Sequence, residues 1–155
     1  MIPAAYRMLH RLSGRAAGGL VISLALALPL HTNAKLCSAA EAEAADAIVD
    51  GLDSWNKIQN AVHRFGHCDD GGIAEGFSEA IARMLVDHWS DLPRLARLVQ
   101  ADPKFALFVT KHIDATLMPS DLERIASLAT SACPQKLDAL CQSIYKGATK
   151  ALSKK

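Results

Sequence analysis

The chain has 155 residues, half of them hydrophobic, with 17 basic and 16 acidic side chains and a formal net charge of +1. Bases and acids are interspersed, and the longest basic run is the terminal Lys154-Lys155. That excludes an electrostatic surface for nucleic acid or for an anionic membrane.

The first 34 residues read as a cleaved secretory signal peptide. Arg7, Arg11 and Arg15 make a basic start, Ala16 to Leu30 an apolar run, and Thr32-Asn33-Ala34 a small-residue cleavage site. The run is short for a span of about 20 residues, so no membrane anchor is expected after cleavage, and Leu36 before Cys37 argues against a lipid anchor. Residues 35–155 form the expected single domain, large enough for one core. The leader takes three arginines and no acid, which leaves 14 basic against 16 acidic side chains, or −2.

The spacing predicts an all-α bundle of about six helices. Ala45, Ile48, Leu52, Trp55, Ile58, Val62 and Phe65 recur at threes and fours and predict one long helix, bent near Gly51. Gly66 ends it, and Asp69 or Asp70 can cap the next helix. Ile73, Phe77, Ala80, Ile81, Met84, Leu85 and His88 give that central helix its apolar face. Gly72, Gly76 and Ala80 form a second, smooth stripe for a close neighbour, while Glu79, Arg83 and Asp87 mark its solvated side. Ser90 or Asp91 starts a short helix with Leu92, Leu95, Leu98 and Val99 inward. Asp102-Pro103 starts another, with Phe105, Val109, Ile113 and Thr116 inward up to Met118-Pro119. Ser120 and Glu123 read as a capping box for a fifth helix, and Cys133-Pro134 opens a sixth through Leu137, Leu140, Cys141, Ile144 and Ala148. No alternating run marks a strand.

All four cysteines, Cys37, Cys68, Cys133 and Cys141, follow the leader, and an even number in an exported chain reads as two disulfides. A helix beginning at Pro134 would separate Cys133 from Cys141 by about 12 Å of rise, beyond the roughly 7 Å a bridge tolerates. Up-and-down counting of the helices then points to Cys68 with Cys133 and Cys37 with Cys141.

Candidate chemistry gathers at the corner between the first two helices. Asp69, Asp70 and Glu75 cluster where helix amides are free; one acid is needed as the cap, and the others are open to a binding partner. His63 and His67, four apart, with Asp69, Asp70 and Glu75 nearby, suggest the alternative of a small metal-dependent enzyme or metal carrier. Gly66 between the histidines and the structural roles of the cysteine and the acids weigh against it. His88 and His112 lie on or beside apolar faces, as hydrogen-bonded core histidines do. Ser54 to Lys57 and Ser143 to Lys146 match S-x-x-K, but the partner motifs S-D-N and K-T-G are missing, as are H-E-x-x-H, G-x-S-x-G, C-x-x-C-H and a phosphate loop. The expectation is therefore an exported, periplasmic or secreted binding or inhibitor protein, of the immunity type for example. Its partner would be a protein rather than nucleic acid, and no cofactor is implied.

Overall fold

The computed structural model describes residues 35–155; the expected leader and the expected cleavage site lie outside them. The described residues are all helical and turn, with seven α-helices: α1 (Ala39–Val49), α2 (Trp55–Phe65), α3 (Gly71–Asp87), α4 (Leu92–Ala101), α5 (Pro103–Lys111), α6 (Pro119–Ser131) and α7 (Asp138–Leu152). Short 3-10 turns precede α3 and α4. No described helix is long and apolar enough to cross a membrane.

The expected long first helix is two helices. Around Gly51 the backbone leaves the α pattern, and Ser54, in extended backbone, caps a fresh start by accepting from the Lys57 amide at 3.4 Å. A capping box opens α1: Ser38 Oγ accepts from the Glu41 amide at 3.3 Å, and Glu41 Oε2 accepts from the Ser38 amide at 3.1 Å. Each helix thus carries its own side-chain cap at its N-terminus, which makes two short helices cheaper than one bent one.

Helix α3 is the centre. It touches α1, α2 and α6, and buries Phe77, Ser78, Ala80, Ile81, Ala82, Met84 and Leu85. Trp55 and Ile58 of α2, Leu92 and Leu95 of α4, Phe105 of α5, Leu122 and Ile125 of α6 and Ile144 of α7 complete one continuous core. The smooth stripe works at one position. A Cβ on Gly76 would lie 2.8 Å from Val49 Cγ2 and 2.9 Å from Val49 Cβ, so glycine is what lets α1 seat against α3. Gly72, on the same stripe, faces open space. Gly71 has φ +51°, a left-handed conformation that favours glycine at the mouth of the helix.

Three expected details are corrected. Helix α5 stops at Lys111 because Asp114 Oδ1 accepts from the amide and the hydroxyl of Thr116, at 2.7 and 2.6 Å, and that local turn replaces the last helical turn. Ile113 is buried as expected, but Thr116 is exposed. The Ser120 capping box does not form: Met118 is the N-cap and Pro119 the first helical residue, which puts Ser120 inside the helix.

The disulfide pairing is the third correction. The bridges are Cys37–Cys68 and Cys133–Cys141. Helix α7 begins at Asp138, not Pro134; Lys136 sits at φ 67° and the Leu137 amide bonds to Pro134 O at 3.1 Å. This folded turn brings the two Cα atoms to 6.1 Å. Cys37 reaches Cys68 because α1 runs alongside α3 and the turn before it, which places the start of α1 at the corner. Each bridge therefore ties neighbouring turns instead of spanning the bundle.

Candidate functional site

At the corner the five sequence candidates go to different tasks. Asp70 is the N-cap of α3, accepting from the Gly71 amide at 2.8 Å while its carboxylate stays exposed. Glu75, one turn on, is exposed and forms no hydrogen bond or ion pair among the described residues. Asp69 turns inward, its side chain 9 % exposed, and binds the Lys111 ammonium. Asp69 is thus occupied, while Asp70 and Glu75 remain on the outside of a corner pinned by Cys37–Cys68.

The two histidines diverge. His63 Nε2 lies 2.6 Å from Asp102 Oδ2, tying α2 to the start of α5, where the other carboxylate oxygen caps the amides of Lys104 and Phe105. The hydrogen bond from His63, with that of the Phe105 amide, holds the Asp102 carboxyl below its ordinary range. His67, past the end of α2, faces Glu41 Oε1 at 3.3 Å. Lys35, then Ser38, hold Glu41 down to about 2. Among the described residues, no group of three or more His, Cys, Asp or Glu side chains is arranged to hold a metal ion. Gly66, where α2 gives way to the tighter turn, is the physical reason: the one-face geometry of an i, i+4 pair needs continuous helix.

Sequence reasoning missed a buried polar network next to the corner. Ser78 Oγ lies 2.9 Å from His112 Nδ1, and His112 Nε2 lies 3.2 Å from Asp69 Oδ1, too bent to be a full hydrogen bond. Ser78 also reaches Ala74 O at 3.1 Å and Asp114 Oδ2 at 3.3 Å. The His112 ring stacks at 4.2 Å from the Phe108 centroid. Serine, histidine and aspartate here stand in the order of nucleophile, base and acid, but Ser78 and His112 are each 1 % exposed, so a substrate has no approach. Burial lowers the His112 basicity and Asp69 opposes that shift only in part. Burial works to raise the Asp114 carboxyl, and the hydrogen bonds of Thr116 and Ser78 outweigh it, so the net shift is downward. The network is a core junction joining the corner, α3 and the end of α5, hydrogen-bonded through Ser78 and left open between His112 Nε2 and Asp69 Oδ1. The only sequence signal for it was a histidine on an apolar face.

The side of α3 expected to be merely solvated instead lines a cleft. Glu79, Arg83, Val86 and Asp87 face Thr116, Leu117, Met118 and Asp121 across a space of about 360 Å³. Arg83 is partly buried, its Nη2 is buried without a hydrogen-bond partner, and Met118 is 65 % exposed beside it. No sequence pattern announced the opposing wall, because it comes from the turn that ends α5 early.

Comparison with protein-family models, with curated proteins and with solved structures finds no match to this chain.

Proposed function

We propose that this chain is an exported helical binding protein, of the inhibitor or immunity type, that docks on a basic surface of a partner protein through the acidic corner of Asp70 and Glu75. The observation that carries the reading is the division of labour among the corner acids. The inward-turned Asp69 is paired with Lys111, while Asp70 and Glu75 stay exposed on backbone clamped by a disulfide. A rigid corner loses little entropy on docking, and two outward carboxylates steer a basic partner. Two disulfides and a leader of secretory type support export to an oxidising compartment. The net charge of −2 after cleavage agrees with a basic partner.

The test compares capture from envelope extract by the parent, Glu75→Gln and Asp70→Asn. Asparagine keeps the capping oxygen, so both variants remove charge with little effect on the fold. Capture should fall for both, and more steeply at low salt than at high salt. Undiminished capture by both variants removes the corner from the binding surface.

A further inference from the structure

The cleft between α3 and the turn leading into α6 holds four charged side chains that ignore one another. Glu79 and Asp87 flank Arg83 at four residues on either side along α3, and Asp121 stands on the far wall. Among the described residues none of the four forms an ion pair, although i, i+4 neighbours of opposite charge readily do. Arg83 Nη2 is moreover buried with nothing to accept its protons. The guanidinium has no protein acceptor among the described residues and lines the cleft, so a ligand carboxylate can meet it at the nitrogens that are not sealed.

We propose that this cleft binds a small zwitterion of the amino-acid or dipeptide class with an apolar side chain. Arg83 would take the ligand's carboxylate, the planar guanidinium matching the planar carboxylate. Glu79, Asp87 and Asp121 would take its ammonium. A simple cation leaves Arg83 unanswered, and a simple anion leaves all three acids unanswered. Val86, Leu117 and the exposed Met118 supply the apolar wall, methionine being able to adapt to side chains of different shape. A space of about 360 Å³ lies at the small end of ligand pockets, in keeping with a one- or two-residue ligand. The site lies further along α3 from the acidic corner and does not depend on the docking proposed there.

Titration calorimetry with L-alanyl-L-leucine, its N-acetyl derivative and its C-terminal amide tests this. The free dipeptide should bind, and each blocked form should bind at least about tenfold more weakly, a loss of roughly 1.4 kcal/mol. Arg83→Gln should weaken the free dipeptide to the level of the amide while leaving the amide unchanged. Asp121→Asn should weaken the free dipeptide and leave the N-acetyl form unchanged. Should Arg83→Gln fail to fold, the ligand series on the parent and Asp121→Asn still decides. Absence of binding by the parent overturns the proposal, as does equal binding of the free dipeptide and either blocked form.

Discussion

Gly76 and Gly72 lie four residues apart on one stripe of α3, and the same substitution at each should have opposite signs. Away from contacts, replacing a helical glycine by alanine stabilises by up to roughly 1 kcal/mol, because alanine loses less backbone entropy. Gly72→Ala places its methyl in open space, so about 0.5 kcal/mol of stabilisation is expected in the first turn. At Gly76 the methyl carbon would sit 2.8 Å from Val49 Cγ2 and 2.9 Å from Val49 Cβ. The second of these is fixed to the α1 backbone, so a rotamer change does not relieve it and the helices must part. Overpacking of this kind costs about 1 to 3 kcal/mol, which exceeds the propensity gain and leaves Gly76→Ala destabilised by about 1 kcal/mol. In a domain of this size that is a fall of about 4 °C in Tm. Urea and thermal unfolding of residues 35–155 read both variants directly. A cycle with Val49→Ala adds a check: Val49→Ala alone should cost about 2 kcal/mol, and the double variant less than the sum, because the space vacated by valine receives the new methyl. If Gly76→Ala stabilises as Gly72→Ala does, or if the cycle is additive, the α1–α3 contact described above is wrong.

Neither bridge should leave a free thiol, so alkylation without reductant should label no cysteine. Closing the longer loop constrains the unfolded chain more. Removing Cys37–Cys68, separation 31, should therefore cost about 1 kcal/mol more than removing Cys133–Cys141, separation 8. Equal losses would show that loop entropy does not set their value here. Asp70→Ala should cost about 1 kcal/mol by loss of the cap, whereas Glu75→Ala should leave the urea midpoint unchanged. As pH falls below about 6.5, the unfolded chain protonates its histidine at position 112 before the folded chain does, because burial favours the neutral ring. Stability should therefore decline with falling pH in that range, and His112→Asn, less stable throughout, should lose that part of the slope. A second acid loss should follow from the ordinary carboxyl value of 4.5 down to about 2 as Glu41 protonates and its contacts with Lys35 and Ser38 weaken.

Much of the fold was legible because helical periodicity is a strong signal. The inward faces of α3, α4, α6 and α7 follow the apolar spacing except at His88, which caps the end of α3 and is exposed, and Asp70 and Asp102 cap where their position before a helix suggested. Where side chains offer the backbone a local alternative, spacing misled. Ser54 divides the first helix, Asp114 with Thr116 shortens α5, and the left-handed Lys136 delays α7. That last shift of four residues reverses the disulfide assignment, since the argument against Cys133–Cys141 rested on helix rise. The site was legible in part. Asp70 and Glu75 are exposed at the corner as expected, but Asp69 turns inward to partners 42 and 43 residues away, Lys111 and His112, and no local pattern encodes such a distance. The cleft around Arg83 was hidden for the same reason: half of it comes from α3 and half from the segment Thr116 to Asp121.

The central claim is that the corner touches a partner protein, and site-specific photo-crosslinking reads contact itself. A photoreactive residue placed at Glu75 in the full chain, expressed in cells with a secretory pathway, should yield one discrete adduct on irradiation. The same probe at exposed Tyr145 of α7 should yield none, and Asp70→Asn should diminish the adduct from position 75. An adduct from position 145 of equal strength, or none from position 75, would contradict the account.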